Sequence, residues 1–154
     1  MVRTTAKITV VTVVLNAENR IRKTIDSVLS QDYADIEYII KDGGSTDGTL
    51  EIIRDAAAMY PQIKYISAPD GGIYCAMNDS LRLVTGGYVN FLNAGDYYAS
   101  EDVISRVAAA AETSRALALY GDVIYINADG STDLRKYCAA CSDRLYYLTG
   151  DCIN

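Results

Sequence analysis

The segment Lys7 to Leu15 (KITVVTVVL) is a near-continuous apolar run built from Val, Ile and Thr. A strand with one wet face alternates apolar and polar residues. A run without that alternation is buried on both faces, as in a parallel sheet covered by helices. The following segments fit that demand. Asn16 to Asn19 breaks the run, and Ile21, Ile25, Val28 and Leu29 then recur at helical spacing. Ile36 to Lys41 (IEYIIK) predicts a second strand, and Asp42 to Gly48 (DGGSTDG) a turn-rich loop. Asp47 is the expected N-cap of a helix through Leu50, Ile53 and Ala57, ended by Pro61.

The same alternation continues along the chain. Gln62 to Ser67 predicts a third strand, and Ala68 to Gly72 (APDGG) a second turn. Ile73, Met77, Leu81 and Val84 then fall on one helical face, closed by Thr85-Gly-Gly87. Tyr88 to Leu92 is the fourth strand, and Asn93 to Asp96 (NAGD) the loop after it. Ser100 is the expected cap of a helix through Val103, Ile104, Val107 and Ala111. Leu117 to Ile126 reads as strand, Asn127 to Gly130 as a hairpin turn, and Leu134 to Asn154 as irregular with a short helical piece. The expected fold class is α/β, a mostly parallel sheet flanked by helices on both faces. At 154 residues, a single domain over 1–154 is expected.

Composition removes several classes of function. The net charge of −6 opposes binding to a phosphate backbone, so no nucleic-acid partner is expected. Histidine is absent, which leaves carboxylates, hydroxyls, backbone amides and four cysteines to do any chemistry. No stretch approaches the roughly 20 apolar residues of a membrane span. Arg3 and Lys7 ahead of an apolar stretch imitate a secretory signal, but the β-branched content fits a first strand better. Cys138-Ala-Ala-Cys141 has zinc-ligand spacing, yet Cys75 and Cys152 are single, so reduced thiols in a cytoplasmic protein are expected.

Parallel sheets bind ligands at the carboxyl ends of their strands. Loops bearing Asn16 and Glu18, Asp42 to Gly48, and Asn93 to Asp96 fall at those ends, and Asp70-Gly-Gly72 precedes a helix start. Neither G-x-G-x-x-G nor G-x-x-x-x-G-K-S/T occurs, so the usual phosphate cradles are missing. A hard divalent cation takes oxygen ligands, often one or two carboxylates plus substrate phosphates. Asp96 is positioned to supply one, and Asp42 to accept a hydrogen bond from a ring or ribose donor.

Five segments, in order, resemble family-2 glycosyltransferases: VTVVLNAE (Val11 to Glu18), SVLSQDY (Ser27 to Tyr33), IEYIIKDGGSTDGT (Ile36 to Thr49), PDGGIYCAMN (Pro69 to Asn78) and GGYVNFLNAGD (Gly86 to Asp96). The resemblance implies a glycosyltransferase-A (GT-A), Rossmann-like architecture. It also implies a nucleotide-diphosphate sugar donor, a UDP-sugar first among them, and inverting transfer to a sugar or lipid-linked acceptor with a divalent metal, Mn or Mg. Such transfer serves polysaccharide or glycoconjugate synthesis. Carried over by residue, Thr12, Asn16 and Glu18 lie along the nucleotide, and Asp42 holds the base. Asp70 and Asn78 face the ribose or sugar, and Asn93 to Asp96 takes the place of the metal motif, with Asp96 as its carboxylate.

The departures are specific. The metal motif offers Asn93 and Asp96 rather than two acids, and Gly71 and Cys75 stand where similar sequences often carry Lys and Asp. Family members continue for roughly another hundred residues, beyond one domain of ordinary size. The chain is therefore expected to be truncated on the acceptor side, which supplies the general base. Asp122, Asp143 and Asp151 are available, and none is nominated. Competing readings are a catalytically incomplete nucleotide-sugar-binding module, a nucleotidyltransferase-like enzyme for which Arg20 and Arg22 poorly imitate the basic loop, and a response-regulator-like domain. Tyr137, Tyr146 and Tyr147 are a candidate interface, for instance in a homo-oligomer. The expected location is cytoplasmic, peripheral to a membrane that carries lipid-linked acceptors.

Overall fold

The computed structural model of the chain describes residues 7–114 and 116–135. They form β1 (Ile8–Val14), α1 (Ile21–Leu29), β2 (Ile36–Asp42), α2 (Thr49–Met59), β3 (Ile63–Ser67), α3 (Ile73–Leu81), β4 (Tyr88–Phe91), α4 (Val103–Ser114), β5 (Val123–Ile126) and β6 (Thr132–Arg135). The chain divides into two compact units, one ending at Ala108 and one beginning at Ala109.

The first unit holds a four-stranded sheet in the order β3-β2-β1-β4. All three pairings are parallel, from Ile8↔Ile36 to Val14↔Asp42 on one side of β1 and from Ile8↔Tyr88 to Val11↔Phe91 on the other. Every residue of β1 is buried, because it is flanked by strands and covered on both faces. Ile8, Val10 and Val14 pack with Tyr38, Ile40 and the inner faces of α1 and α2. Val11, Val13 and Ile39 pack against Ala76 of α3. The α/β architecture expected from the sequence is thus the one observed.

Three element boundaries differ from expectation. Helix α3 stops at Leu81 and buries Ala76 and Ser80; of the expected face, Met77 and Val84 pack partly against the core, while Ile73 and Leu81 are 47% and 43% exposed. Small residues four apart let the helix lie close to the sheet, and the Ser80 hydroxyl donates to the Ala76 carbonyl at 2.7 Å. Asp47 does not serve as the N-cap of α2; Gly48 takes that place, and Asp47 accepts from the Thr49 amide at 3.0 Å. Finally, the expected strand from Leu117 is confined to β5. In the second unit β5 pairs antiparallel with β6, so Leu134 lies in a strand and not in irregular chain. The hairpin turn over Asn127 to Gly130 is observed, with Gly130 at φ 82° and its amide 2.9 Å from the Asn127 carbonyl.

At the amino ends of the strands, Glu37 is a buried tie-point. It accepts from the Thr9 hydroxyl at 2.8 Å, the Thr85 amide at 2.8 Å and Lys64 Nζ at 2.7 Å. Burial raises its pKa, but these donors together outweigh that and bring it down to about 2. Gly86 passes so close to β1 that an added Cβ would lie 2.6 Å from Thr9 Oγ1 and 2.7 Å from the Lys7 carbonyl. Cys75 is a free, exposed thiol. Cys138, Cys141, Cys152, Asp143, Asp151, Tyr137, Tyr146 and Tyr147 lie outside the described residues.

Candidate functional site

A cavity of about 250 Å³ opens at the carboxyl ends of β1 and β2, beside the start of α3. Val13, Leu15 and Ile73 give it apolar walls, and Gly43, Asp70 and Gly72 complete them. Gly43 makes a close approach, since a Cβ there would lie 3.1 Å from Asp70 Oδ2 and crowd that side chain. Gly72 takes φ +109°, a backbone state that favours glycine, and turns the chain into α3.

Asp70 is the carboxylate of this wall. Its Oδ2 accepts from Lys41 Nζ at 3.0 Å and its Oδ1 from the Gly72 amide at 3.0 Å. The ammonium of Lys41, helped by the Gly72 amide, holds the Asp70 carboxyl below the usual carboxylate range. Lys41 is itself buried, with its side chain 4% exposed. It also donates to the carbonyls of Asp42 at 3.0 Å and Ala68 at 2.6 Å.

Asp42 sits behind the wall and is fully buried. Its carboxylate accepts from the amides of Gly44 and Ser45 at 3.2 Å and from the hydroxyls of Ser45 and Ser67. It therefore shapes the loop over residues 43–45 from inside. The loop after β1 is joined to this loop. Asn16 Oδ1 accepts from the Thr46 amide at 2.8 Å, the Asn16 amide donates to Ser45 Oγ at 2.9 Å, and Glu18 Oε2 accepts from the Gly48 amide at 2.8 Å. Glu18 thereby places a negative charge at the positive end of α2.

The Asn93 to Asp96 turn adjoins the same end of β1, where the Ala94 amide reaches the Val13 carbonyl at 3.3 Å. Gly95 takes φ +106°. Thr24 of α1 accepts from the Gly95 amide at 3.0 Å and donates to the Asp96 carbonyl at 2.8 Å. Asp96 is exposed. Asn93 Oδ1 is buried and, among the described residues, lacks a hydrogen-bond partner, a state that a bound water or ion would relieve. One carboxylate and one carboxamide oxygen suit a hard cation that also takes phosphate oxygens. No group of three or more acidic, cysteine or histidine residues is assembled among the described residues, so a metal here would depend on such outside ligands.

The remaining expected residues part company. Thr12 is fully buried on the core face of β1, its hydroxyl 3.0 Å from that of Tyr38. It packs in the interior of the sheet. Asn78 is exposed on α3. Three contributors escaped the sequence reading, Lys41, Ser67 and Thr24, and Arg20 figures there only as a poor imitation of a basic loop. The side chain of Arg20 lies against Gly95, within 3.6 Å of where its Cβ would be, so a cation flanks the Asn93 to Asp96 turn. A polar residue closing an apolar strand was the available signal for Lys41. The others owe their roles to contacts distant in sequence.

Comparison with known proteins follows the same residues. Residues 9–152 match the model of Glycosyl transferase family 2. Glycosyltransferase GlyA of Streptococcus pneumoniae is 38% identical over 91 residues, 59% of this chain and 13% of the relative. Chondroitin synthase of Pasteurella multocida is 38% identical over 82 residues, 53% of this chain and 8% of the relative. A PGL/p-HBAD biosynthesis glycosyltransferase of Mycobacterium bovis is 36% identical over 140 residues, 90% of this chain and 53% of the relative. The chain thus spans about half, or much less, of the length of these curated relatives. Among solved structures, the mannosyltransferase PcManGT from Pyrobaculum calidifontis, in complex with GDP-Man and Mn²⁺, superposes with a TM-score of 0.66 at 25% identity, over 73% of this chain and 34% of that one. Staphylococcus aureus TarS residues 1–349, in complex with UDP-GlcNAc, also gives 0.66 at 25%, over 71% of this chain and 32% of that one. These neighbours bear out the GT-A fold expected from the sequence. With the motifs in order, the sheet as anticipated and a family match across most of its length, the chain belongs to glycosyl transferase family 2.

Proposed function

We propose that this chain carries the donor-binding part of a glycosyltransferase that moves a sugar from a nucleoside-diphosphate sugar to an acceptor hydroxyl in polysaccharide or glycoconjugate synthesis. The observation that carries this reading is the meeting of two features at one end of β1. Val13 lines the apolar cavity, and its carbonyl receives the Ala94 amide of the Asn93 to Asp96 turn. A flat base and a diphosphate require two such regions side by side. Neighbours solved with GDP-Man and with UDP-GlcNAc support a nucleotide-sugar partner.

In the reaction, the acceptor oxygen forms a bond to the anomeric carbon from the face opposite the diphosphate. The bond from that carbon to the diphosphate oxygen breaks, and the configuration inverts. The acceptor proton passes to a general base, which no described residue is assigned to be. Asp96 and Asn93 would hold a divalent cation, Mn or Mg, which when bound neutralises charge on the leaving diphosphate as a Lewis acid. Arg20 beside Gly95 adds a fixed positive charge on the same flank. The donor is read as a UDP-sugar and the acceptor as a sugar or lipid-linked sugar at a cytoplasmic membrane face. Among the described residues no helix is long and apolar enough to cross a membrane.

Thermal melting with UDP, GDP and dTDP, each with and without Mn²⁺, tests the donor site. A ligand that binds only the native state raises the melting temperature. A rise with one nucleotide, enlarged by Mn²⁺, is expected. No rise with any of the three overturns the reading.

A further inference from the structure

Helix α1 carries charge against its own dipole. Arg20, Arg22 and Lys23 sit at its amino-terminal turn, which holds no acid, and Arg20 takes the N-cap position without a side-chain cap bond. Positive charge at that end of a helix is unfavourable. All three side chains are exposed, in a chain of net charge −6. Among the described residues no acid pairs with any of them, whereas Lys7, Lys41, Lys64, Arg82 and Arg106 each have a carboxylate partner.

Two of these cations are held in place. Along one side of α1, Arg20, Lys23, Thr24 and Ser27 meet residues 95–98. Arg20 packs against Gly95, and Thr24 bonds the backbone at Gly95 and Asp96. Lys23 Nζ lies 3.6 Å from the centre of the Tyr97 ring, and Ser27 Oγ accepts from the Tyr98 amide at 3.4 Å. A ring face attracts an ammonium by its quadrupole, so donors of Lys23 remain for a ligand.

The order of atoms in a sugar nucleotide says which part of it reaches Lys23. On the donor-site reading the base enters the cavity and the diphosphate meets the Asn93 to Asp96 turn. The sugar is bonded to the outer phosphate, so its substituents lie beside that turn. Helix α1 flanks the turn from the sheet face opposite to α3 and the cavity: Ile21 and Ile25 pack with Val10 and Val14, and Ala76 packs with Val11 and Val13. A ligand that runs from the cavity past the turn therefore brings its sugar toward Arg20 and Lys23. Their charges then divide. A diphosphate linked to nucleoside and sugar carries two negative charges. A divalent cation on the Asp96 carboxylate would oppose one of them and Arg20 the other. Lys41 is already paired with Asp70. Lys23 is left without an anion.

We infer that Lys23 is a specificity-determining residue for an anionic donor sugar, one whose ring bears a carboxylate as in a hexuronate, over the neutral hexose. This inference rests on the donor-site reading above. A hexuronate differs from its hexose by a carboxylate in place of a hydroxymethyl group, so it alone supplies the charge that Lys23 lacks. An exposed ion pair of this kind corresponds to about a few-fold in affinity.

The test is calorimetric titration of UDP-glucuronate, UDP-glucose and UDP, at constant Mn²⁺ and low ionic strength, into the wild type and into Lys23→Met, Lys23→Glu and Arg22→Met, with folding checked by melting curves. The wild type is expected to bind UDP-glucuronate about threefold more tightly than UDP-glucose. Lys23→Met should bring that ratio to one, and Lys23→Glu should reverse it. Arg22→Met removes the same charge from a side chain that makes no hydrogen bond or ring contact with the turn, and it should keep the ratio. A lysine that merely steadied Tyr97 would weaken both sugar nucleotides alike on substitution, and a wild-type ratio in Lys23→Met overturns the inference. A ratio lost equally in Arg22→Met also overturns it, since a diffuse field would then be responsible. Equal binding of the two sugar nucleotides by the wild type, or binding of UDP alone, overturns the inference and leaves the donor site standing. Binding of none of the three overturns both.

Discussion

The hydroxyl of Thr24 is locked to the backbone at Asp96, donating to its carbonyl at 2.8 Å while accepting the neighbouring Gly95 amide at 3.0 Å. One buried side chain of α1 thus holds the turn that bears the exposed carboxylate. Thr24→Val keeps the shape and deletes both bonds. It should cost about 1–3 kcal/mol of stability. It should also shrink the Mn²⁺ enhancement of UDP binding, with metal-free UDP binding little changed. Melting curves and titrations in Mn²⁺ and in EDTA check both effects.

Asp96 supplies the only carboxylate of its turn, so the metal response should depend on it. Asp96→Ala should bind UDP in Mn²⁺ no better than the wild type does in EDTA. Its melting temperature should stay near that of the wild type, since the side chain is exposed. A variant with a full Mn²⁺ response would remove Asp96 from the metal site.

Glu37 makes the fold sensitive to acid. Its pKa is about 2 in the folded chain against an ordinary 4.5. A lowered folded-state pKa means stability that is present above 4.5 and is lost as pH falls from there through 2. The shift corresponds to at most about 3 kcal/mol at neutral pH. Glu37→Gln should be less stable at pH 7 and should flatten the decline between pH 4.5 and 2. Denaturant melts across that range provide the measurement.

Gly86 offers a control remote from the strand-end cavity. Alanine there would place its Cβ within 2.7 Å of the Lys7 carbonyl, and backbone does not yield cheaply. Gly86→Ala should destabilise by roughly 1–3 kcal/mol. The preference among nucleotides should survive, measured well below the melting temperature. A changed preference would mean that the two ends of the sheet are coupled.

The parallel core was legible because it depends on composition within short windows. The β-branched run from Lys7 to Leu15 fitted a strand covered on both sides better than a secretory signal, and the loops at its carboxyl end followed from strand order. What escaped was the face each residue takes and the partner it meets. Thr12 and Val13 are adjacent in β1, yet Thr12 turns into the core against Tyr38, and Val13 lines the cavity. Strand alternation fixes that they differ, but not which one faces the ligand. Lys41 closes an apolar strand and looks like its wet end. Its burial depends on Ala68 and Asp70, which arrive only after another helix and strand. In α3, the large residues Ile73 and Leu81 suggested the inner face. The fully buried residues are instead the small Ala76 and Ser80, while Met77 of the expected face packs only partly against the sheet.

The seam between the first two loops has a consequence for how a ligand is met. Asn16 holds φ 49°, an uncommon state for a residue other than glycine, and is kept there by Ser45 and Thr46. Such a conformation costs on the order of 1 kcal/mol or more and persists only where its surroundings enforce it. With Glu18 fastened to Gly48 as well, the two loops form one stiff rim. Their loss of conformational freedom is settled when the chain folds. An arriving nucleotide therefore need not order this rim, and more of its contact energy remains as affinity.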